Sequence, residues 1–235
     1  MRALIAAAFW LLLWELLALI VGNSLLLPGS WDTARELWTV LPTGQFWLTV
    51  ATTLGRIVLG YGLGVAVGTG LGALCAKSVF ADDIISPMMR VIRATPVTSF
   101  ILLVLLYFSS GVTPVVIAFL MVTPMLFATV RAYRADAELV EMARFFGVKG
   151  LRLVRRVYAP MIKPQFLAQA ATALGFAWKS GVAAEVIARS AYSIGKSIYE
   201  SKLYIETPSL FAWTAVTVAL SIGLERLLNA LVKKI

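Results

Sequence analysis

The chain has 235 residues, of which 60% are hydrophobic and only 14% are charged, and its formal net charge is +9 at pH 7. Soluble domains carry about 25% charged residues, so this composition excludes an ordinary water-facing surface and indicates a membrane protein. The chain has no histidine and one cysteine, Cys75, which excludes histidine-based metal or acid–base chemistry and an internal disulfide bond. Because the positive charges lie between apolar segments, they indicate membrane orientation rather than nucleic-acid binding.

Six apolar segments are long enough to be transmembrane helices, since a ~30 Å hydrocarbon core requires about 20 apolar residues. They run from about Leu4 to Val21, Thr52 to Cys75, Ser86 to Phe108, Val112 to Ala132, Pro164 to Ile187 and Ser209 to Leu228. The third segment is interrupted near its start by Arg90, Arg93 and Pro96. We therefore predict an all-α fold, with residues 1–235 forming one transmembrane domain.

Orientation follows from the distribution of Lys and Arg. With both termini in the cytoplasm, most of the 21 basic residues face inside, as the positive-inside rule expects. The exceptions are Arg35, Arg56, Arg189, Lys196 and Lys202 on the outer side, and Lys179 within a span. The first span could instead be a cleaved signal sequence, but Trp10, Trp14 and Glu15 are unusual in such a segment, so a retained helix is favoured.

Four glycines recur every fourth residue in the second predicted span: Gly60, Gly64, Gly68 and Gly72. On a helix they share one stripe. Lipid gives helices no hydrophobic reason to associate, so close backbone approach has to supply the packing energy. The stripe predicts a helix-packing surface, either within one bundle or between helices that slide when the protein rearranges.

The segment 133–163 is charged, largely basic and amphipathic, and it lies between the fourth and fifth spans. The pattern over 138–146 predicts a short helix that Gly147 can end. A second short helix is predicted over 151–157, followed by Pro160 and Pro164, which should end it before the fifth span.

Phe145 and Phe146 fall at the predicted turn of this segment, where a loop is normally polar. Exposed aromatic residues at such a tip favour a partner with a matching pocket. The alternative is an interfacial helix that rests on lipid headgroups, which the basic residues would also favour.

This segment resembles the EAA loop of ABC importer permeases, in which Glu-Ala-Ala is followed by three residues, Gly, nine residues and Ile-x-Leu-Pro. Glu141, Met142, Ala143, Gly147, Val157, Ala159 and Pro160 stand at the corresponding positions. Met142, Val157 and Ala159 depart from the pattern but remain apolar. Thr53-Leu-Gly-Arg-Ile-Val-Leu-Gly60, Arg93-Ala-Thr-Pro96, Ala177-Trp178 and Ala184-Glu185 resemble stretches of the nitrate/sulfonate/taurine-type subfamily.

The resemblance implies a non-enzymatic permease subunit in a bacterial inner membrane. Two copies would form a translocation path, two cytoplasmic ATPase subunits would receive the loop, and an extracytoplasmic binding protein would deliver substrate. ATP and Mg would be bound by the partner ATPase, so no cofactor or metal is expected on this chain. In the loop we expect Glu141 and Arg144 to make polar contacts at the rim, Phe145 and Phe146 to anchor, and Gly147 to permit the turn.

Two charged residues, Lys179 and Glu185, lie in the fifth predicted span. Charges at bilayer depth are costly and usually face the bundle interior or water. Lys179 could meet an anionic substrate or serve as a structural partner, and Glu185 is expected to have a structural or gating role. With Trp178, they are candidates for the translocation path, although aromatic residues in a bundle more often pack. The polar outer segment 192–207 could meet the binding protein or be a solvated loop.

Other function classes fit less well. A secondary transporter or channel should carry repeats, broken helices or a selectivity motif, and a membrane-embedded enzyme should carry clustered acids, histidines or cysteines. Ser193-Ile-Gly195-Lys196-Ser197 contains a GKS triplet, but Ser190 replaces the glycine that a phosphate loop requires. The substrate class expected from the resemblance is a small polar or anionic solute such as nitrate, a sulfonate, taurine or a thiamine precursor.

Overall fold

The computed structural model describes residues 2–132 and 137–234. Within these two ranges the regular elements are all helices, and none is a strand. The prediction of an all-α membrane protein is confirmed. Residues 133–136, at the start of the predicted coupling segment, lie outside the described residues, as do Met1 and Ile235.

The helices follow one another along the chain with short connections. In order they are α1 (Arg2–Val21), α2 (Ser30–Val40), α3 (Gly44–Lys77), α4 (Val79–Ala94), α5 (Val97–Tyr107), α6 (Thr113–Ala132), α7 (Ala137–Phe145), α8 (Leu151–Leu153), α9 (Ala159–Ala188), α10 (Ile194–Leu203) and α11 (Thr207–Lys234). A π-helical turn, Val154–Tyr158, joins α8 to α9. The short helices α2 and α10 lie in segments that the sequence pattern left as connections.

The centre of the bundle is formed by α3, α6 and α9, against which α11 also packs. Its buried core contains Ile57 of α3, Val122 and Leu126 of α6, and Ala173 and Trp178 of α9. Because lipid surrounds such a bundle, close van der Waals packing between these helices stabilises it.

The glycine stripe of α3 lies directly against α6. A Cβ atom added at Gly64 would be 2.7 Å from Val122 Cβ, and one added at Gly68 would be 2.5 Å from a backbone oxygen of α6. Gly60 and Gly72 are equally close to α6, whereas Gly62, on another face, has no atom within 4 Å of an added Cβ. The stripe thus brings the backbones of α3 and α6 close together within one protomer.

In the part of the chain that the structure describes, three helices are long and apolar enough to cross a membrane: Gly44–Lys77, Thr113–Ala132 and Thr207–Leu228. The bent pair α4–α5 can count as a fourth. The first predicted span forms α1, whose apolar part, Ile5–Val21, is shorter. The fifth forms α9, which has 30 residues but is less apolar, because it carries Lys179 and Glu185.

The prediction of one continuous third span, Ser86–Phe108, is wrong. The chain forms two helices there, α4 and α5, whose axes differ by 106°. Thr95 and Pro96 separate them, and Thr95 has an extended backbone with φ −78° and ψ 130°. A residue that precedes proline is disfavoured in the α region, so Pro96 sets the position of the bend. Asp82 and Arg131 form a bidentate ion pair that holds α4 against α6.

Candidate functional site

The predicted coupling segment folds as a helical hairpin. Gly147 has φ +76°, the left-handed conformation that glycine adopts readily. The Val148 N–H donates to the carbonyl of Ala143 at 2.9 Å, and the Gly147 N–H donates to that of Arg144 at 3.0 Å. This pair of bonds is the Schellman motif, which ends a helix at a left-handed glycine. The turn is therefore fixed by local chemistry.

The hairpin has a small apolar core of its own. Val140 of α7 packs with Leu153 of α8 and Val157 of the π-helical turn, and all three side chains are buried. Ala143 and Val148 pack against this cluster. Ala143 therefore lies inside the hairpin rather than at its rim. α7 packs against α8 and the π-helical turn.

The tip of the hairpin is apolar and exposed. Phe145 is 87% exposed, Phe146 is 75% exposed and Leu151 is 82% exposed. The two phenylalanine rings meet edge to face, with centroids 5.7 Å apart. Glu141 and Arg144 are also exposed on α7. Apolar side chains held out on a folded hairpin are typical of a surface that a partner covers.

The second arm of the hairpin does not end where it was predicted to. Pro160 is the second residue of α9, and Pro164 lies within that helix, so neither proline terminates a helix. In the π-helical turn before them, the Ala159 N–H donates to the carbonyl of Val154, five residues back. This widened turn leads into Pro160, which has no N–H to donate, without breaking the helix. The hairpin is consequently continuous with α9 through its backbone.

The predicted path residues on α9 separate into two groups. Lys179 is exposed, and Phe176 beside it is 55% exposed. Trp178 is 1% exposed, and its Nε1 donates to the carbonyl of Thr217 in α11 at 3.0 Å. Glu185 is 0% exposed. Trp178 and Glu185 are therefore enclosed within the protomer, whereas Lys179 lies on an open face, and the roles of all three in a path stay predictions.

Glu185 is the centre of a buried polar cluster. Its Oε2 accepts from Thr53 Oγ1 at 2.9 Å and from the Gly195 N–H at 3.3 Å, and its Oε1 accepts from Arg56 Nη1 at 3.4 Å. Thr53 Oγ1 in turn accepts from the Ile194 N–H at 3.0 Å. Buried charges in proteins are paired and hydrogen-bonded in this way. The cluster ties α3, the end of α9 and the start of α10 together.

Gly195 makes this cluster possible, because an added Cβ would be 2.5 Å from the backbone nitrogen of Val186. Arg56 also donates from Nη2 to the carbonyl of Ala191 at 3.1 Å. Sequence analysis placed Thr53 and Arg56 in a resembling stretch but gave no signal that they meet Glu185. Among the described residues, no group of three or more His, Cys, Asp and Glu is arranged to hold a metal ion.

Residues 68–235 match the model of a family described as the binding-protein-dependent transport system inner membrane component. The chain belongs to this family. It is therefore related to the permeases of ABC importers, and the resemblance noted from the EAA-type spacing is confirmed.

Relatives of this permease family span most of the chain. A probable ABC transporter permease of Brucella melitensis is 28% identical over 92% of this chain and 88% of its own length. The riboflavin transport system permease RibX of Chloroflexus aurantiacus is 27% identical over 85% of this chain and 75% of its own length. The taurine transport system permease TauC of Escherichia coli is 24% identical over 94% of this chain and 83% of its own length.

A solved structure has the same fold. The inward-facing MetNI methionine ABC transporter matches with a TM-score of 0.62 and 18% identity, over 87% of this chain and 96% of the matched chain. At this identity the likeness concerns the fold alone. It supports the prediction of an all-α membrane architecture of the ABC permease kind.

Proposed function

We propose that this chain is the membrane subunit of an ATP-driven importer and that its hairpin, Ala137–Tyr158, docks to a separate ATPase. The observation that carries the proposal is the apolar tip, where Phe145 and Phe146 are held in the open on a hairpin with its own core. Family membership supports it, because an ABC permease requires a motor in another chain. The helical continuity from the hairpin into α9 provides a route by which ATPase movement reaches the bundle.

In this mechanism the ATPase cleft receives the two phenylalanine rings, and Glu141 and Arg144 make polar contacts at its rim. The motor binds ATP and Mg and closes. Because the hairpin leads into α9 without a break, its displacement is transmitted to the helix that carries Lys179. Hydrolysis then lets the two ATPase subunits separate, which resets the permease.

We further propose that two copies of this chain face one another across the translocation path, with Lys179 on the surface that lines it. An exposed Lys179 is costly against lipid, by about 2.5–3.5 kcal/mol on insertion scales, and usually faces water instead. No ion pair of Lys179 occurs within residues 2–132 and 137–234. A cationic side chain on this face fits a small polar or anionic solute.

An extracytoplasmic binding protein would meet the opposite end of the bundle, where α9 turns into α10. A polar cleft of about 220 Å³ is present there, lined by Gln45, Thr49, Tyr192, Ser193 and Lys196 among others. The 30-residue α9 separates this cleft from the hairpin by about 45 Å at 1.5 Å per residue. This geometry, together with the family's dependence on binding proteins, supports placing the two partners at opposite ends, with both termini of the chain in the cytoplasm.

The docking proposal is tested by co-purification of a cytoplasmic ABC ATPase with this chain. Replacing Phe145 and Phe146 together by serine is expected to abolish co-purification, because the anchoring rings are lost. Tyr204→Ser is a matched control, since Tyr204 is an aromatic residue, 69% exposed, at the end of α10 and therefore distant in the chain from the hairpin. Retention of the ATPase by the double variant would refute docking through this tip.

The role of Lys179 is tested by transport in proteoliposomes. Lys179→Met is expected to reduce uptake of anionic solutes more than of uncharged ones, while ATPase co-purification stays at the wild-type level. Lys77→Met, which changes an exposed basic residue in the last turn of α3, is the control. Equal uptake profiles for Lys179→Met and wild type would remove Lys179 from the path.

A further inference from the structure

The short helix α2 is held firmly against α1. Glu15 Oε2 of α1 accepts from the backbone N–H of Ser30 at 2.8 Å and from its Oγ at 2.6 Å. Trp14 Nε1 donates to the carbonyl of Pro28 at 3.0 Å. The carboxylate thus satisfies a backbone donor in the first turn of α2, where a negative charge is stabilising. The angle between α1 and α2 is set by these contacts.

One face of α2 packs onto the bundle, and the opposite face is open. Thr33 is buried, and Leu37 and Val40 pack against the central core. Trp31 is 75% exposed and Trp38 is 78% exposed. Seven residues at about 100° per residue place these two rings within about 20° of each other. Two large indole side chains are therefore presented together, away from the protein.

The flanks of α2 between these two faces differ in polarity. Ala34 lies on the same flank as Trp38, whereas Asp32, Glu36 and Thr39 lie on the other, by the helical repeat of about 100°. A helix that lies parallel to the membrane surface needs one apolar flank, turned to the acyl chains, and one polar flank, turned to water.

We propose that α2 lies in the headgroup region of the membrane, with Trp31 and Trp38 at the boundary between headgroups and acyl chains. Indole side chains are enriched at this boundary because one edge is apolar and the ring N–H is polar. Arg35, next to the two rings on the open face, can pair with a lipid phosphate. The occupant of the open face is therefore lipid.

Continuity with the neighbouring surface supports lipid over a protein partner. Leu19 and Ile20, at the end of α1, are each 72% exposed, and Trp47, at the start of α3, is 60% exposed. These residues flank α2 on both sides in the chain and belong to apolar helices of a membrane protein. Trp31, Trp38 and Trp47 would form one anchor that fixes the depth of the end of the bundle where α1 finishes and α3 begins.

The proposal is tested with spin labels on the complete transporter in vesicles of phosphatidylethanolamine and phosphatidylglycerol, in a Cys75→Ala background. Ala34→Cys places a label on the apolar flank and Thr39→Cys places one on the polar flank, and neither removes a tryptophan. We expect the label at 34 to collide more often with oxygen than with a water-soluble nickel complex, and the label at 39 to show the reverse.

Two outcomes would overturn the proposal. If the nickel complex reaches both labels equally, α2 stands clear of the membrane. If neither reagent reaches the label at 34, that flank is covered by protein, such as a second copy of the chain. A Phe9→Cys label on the exposed face of α1 calibrates the lipid signal, because Phe9 is 58% exposed within an apolar helix.

Discussion

The hairpin tip and the Glu185 cluster use their polar and apolar residues in opposite ways. At the tip, Phe145 is 87% exposed, and the charged Glu141 and Arg144 lie in the open. In the cluster, Glu185 is 0% exposed, and its carboxylate is bonded to Thr53, Arg56 and Gly195. The tip leaves its apolar side chains exposed, whereas the cluster satisfies its polar groups within the chain.

This difference separates two kinds of mutational effect. Changes in the Glu185 cluster should alter the stability of the protomer, because bonds between helices are lost. Changes at the hairpin tip should alter association with the ATPase and leave stability almost unchanged, because the tip makes few contacts within the chain.

Glu185→Ala should lower the free energy of unfolding by about 3–5 kcal/mol, since it leaves the partly buried guanidinium of Arg56 and the donors of Thr53 and Gly195 without their acceptor. Unfolding in mixtures of mild detergent and sodium dodecyl sulfate measures this change. Glu141→Ala is the matched control, and it should stay within about 0.5 kcal/mol of wild type because Glu141 is exposed. Equal stability of the two variants would contradict a stabilising role for the Glu185 cluster.

Gly64→Ala should lower the same free energy by about 1–3 kcal/mol, because the new methyl group overlaps Val122 and forces α3 and α6 apart. Gly62→Ala should instead raise it by up to about 1 kcal/mol, since alanine is the better helix former and nothing lies near the added Cβ. The two variants make the same substitution, glycine to alanine, on two different faces of α3. A loss of stability in both would show that contact with α6 is not what decides the effect.

Gly147→Ala should weaken the hairpin by about 1 kcal/mol, because the left-handed φ of +76° is unfavourable for a residue with a Cβ. Since no atom lies within 4 Å of that Cβ, the cost is conformational only. We expect roughly fivefold weaker binding of the ATPase and an unchanged unfolding transition of the bundle. Lys149→Ala in the same turn is the control, and the measurement is titration of the permease with the ATPase in nanodiscs.

The hairpin could be predicted almost completely from the sequence because its determinants are local. Gly147 ends α7 through bonds to Ala143 and Arg144, a few residues away. Within the described residues of the segment, the prediction failed at Pro160 and Pro164, which were expected to end a helix. A π-helical turn accommodates Pro160, which has no N–H to donate, within a continuous helix. No simple residue pattern marks such a turn.

The bend between α4 and α5 was partly visible in the sequence. Arg90, Arg93 and Pro96 interrupted the apolar segment, yet hydropathy alone joined the two halves into one span. α2 was missed because its 11 residues are shorter than a span, although the spacing of Trp31 and Trp38 was an available signal.

Composition and local pattern by themselves determined the helical membrane character, the glycine stripe and the hairpin with its exposed aromatic tip, because each depends on residues close together in the chain. Only the tertiary structure decided that Trp178 and Glu185 lie inside the protomer while Lys179 does not. In an apolar helix every face has similar polarity, so the buried face is chosen by the neighbouring helices. Glu185 meets Thr53 across 132 residues of chain, and that meeting depends on how α3 and α9 pack.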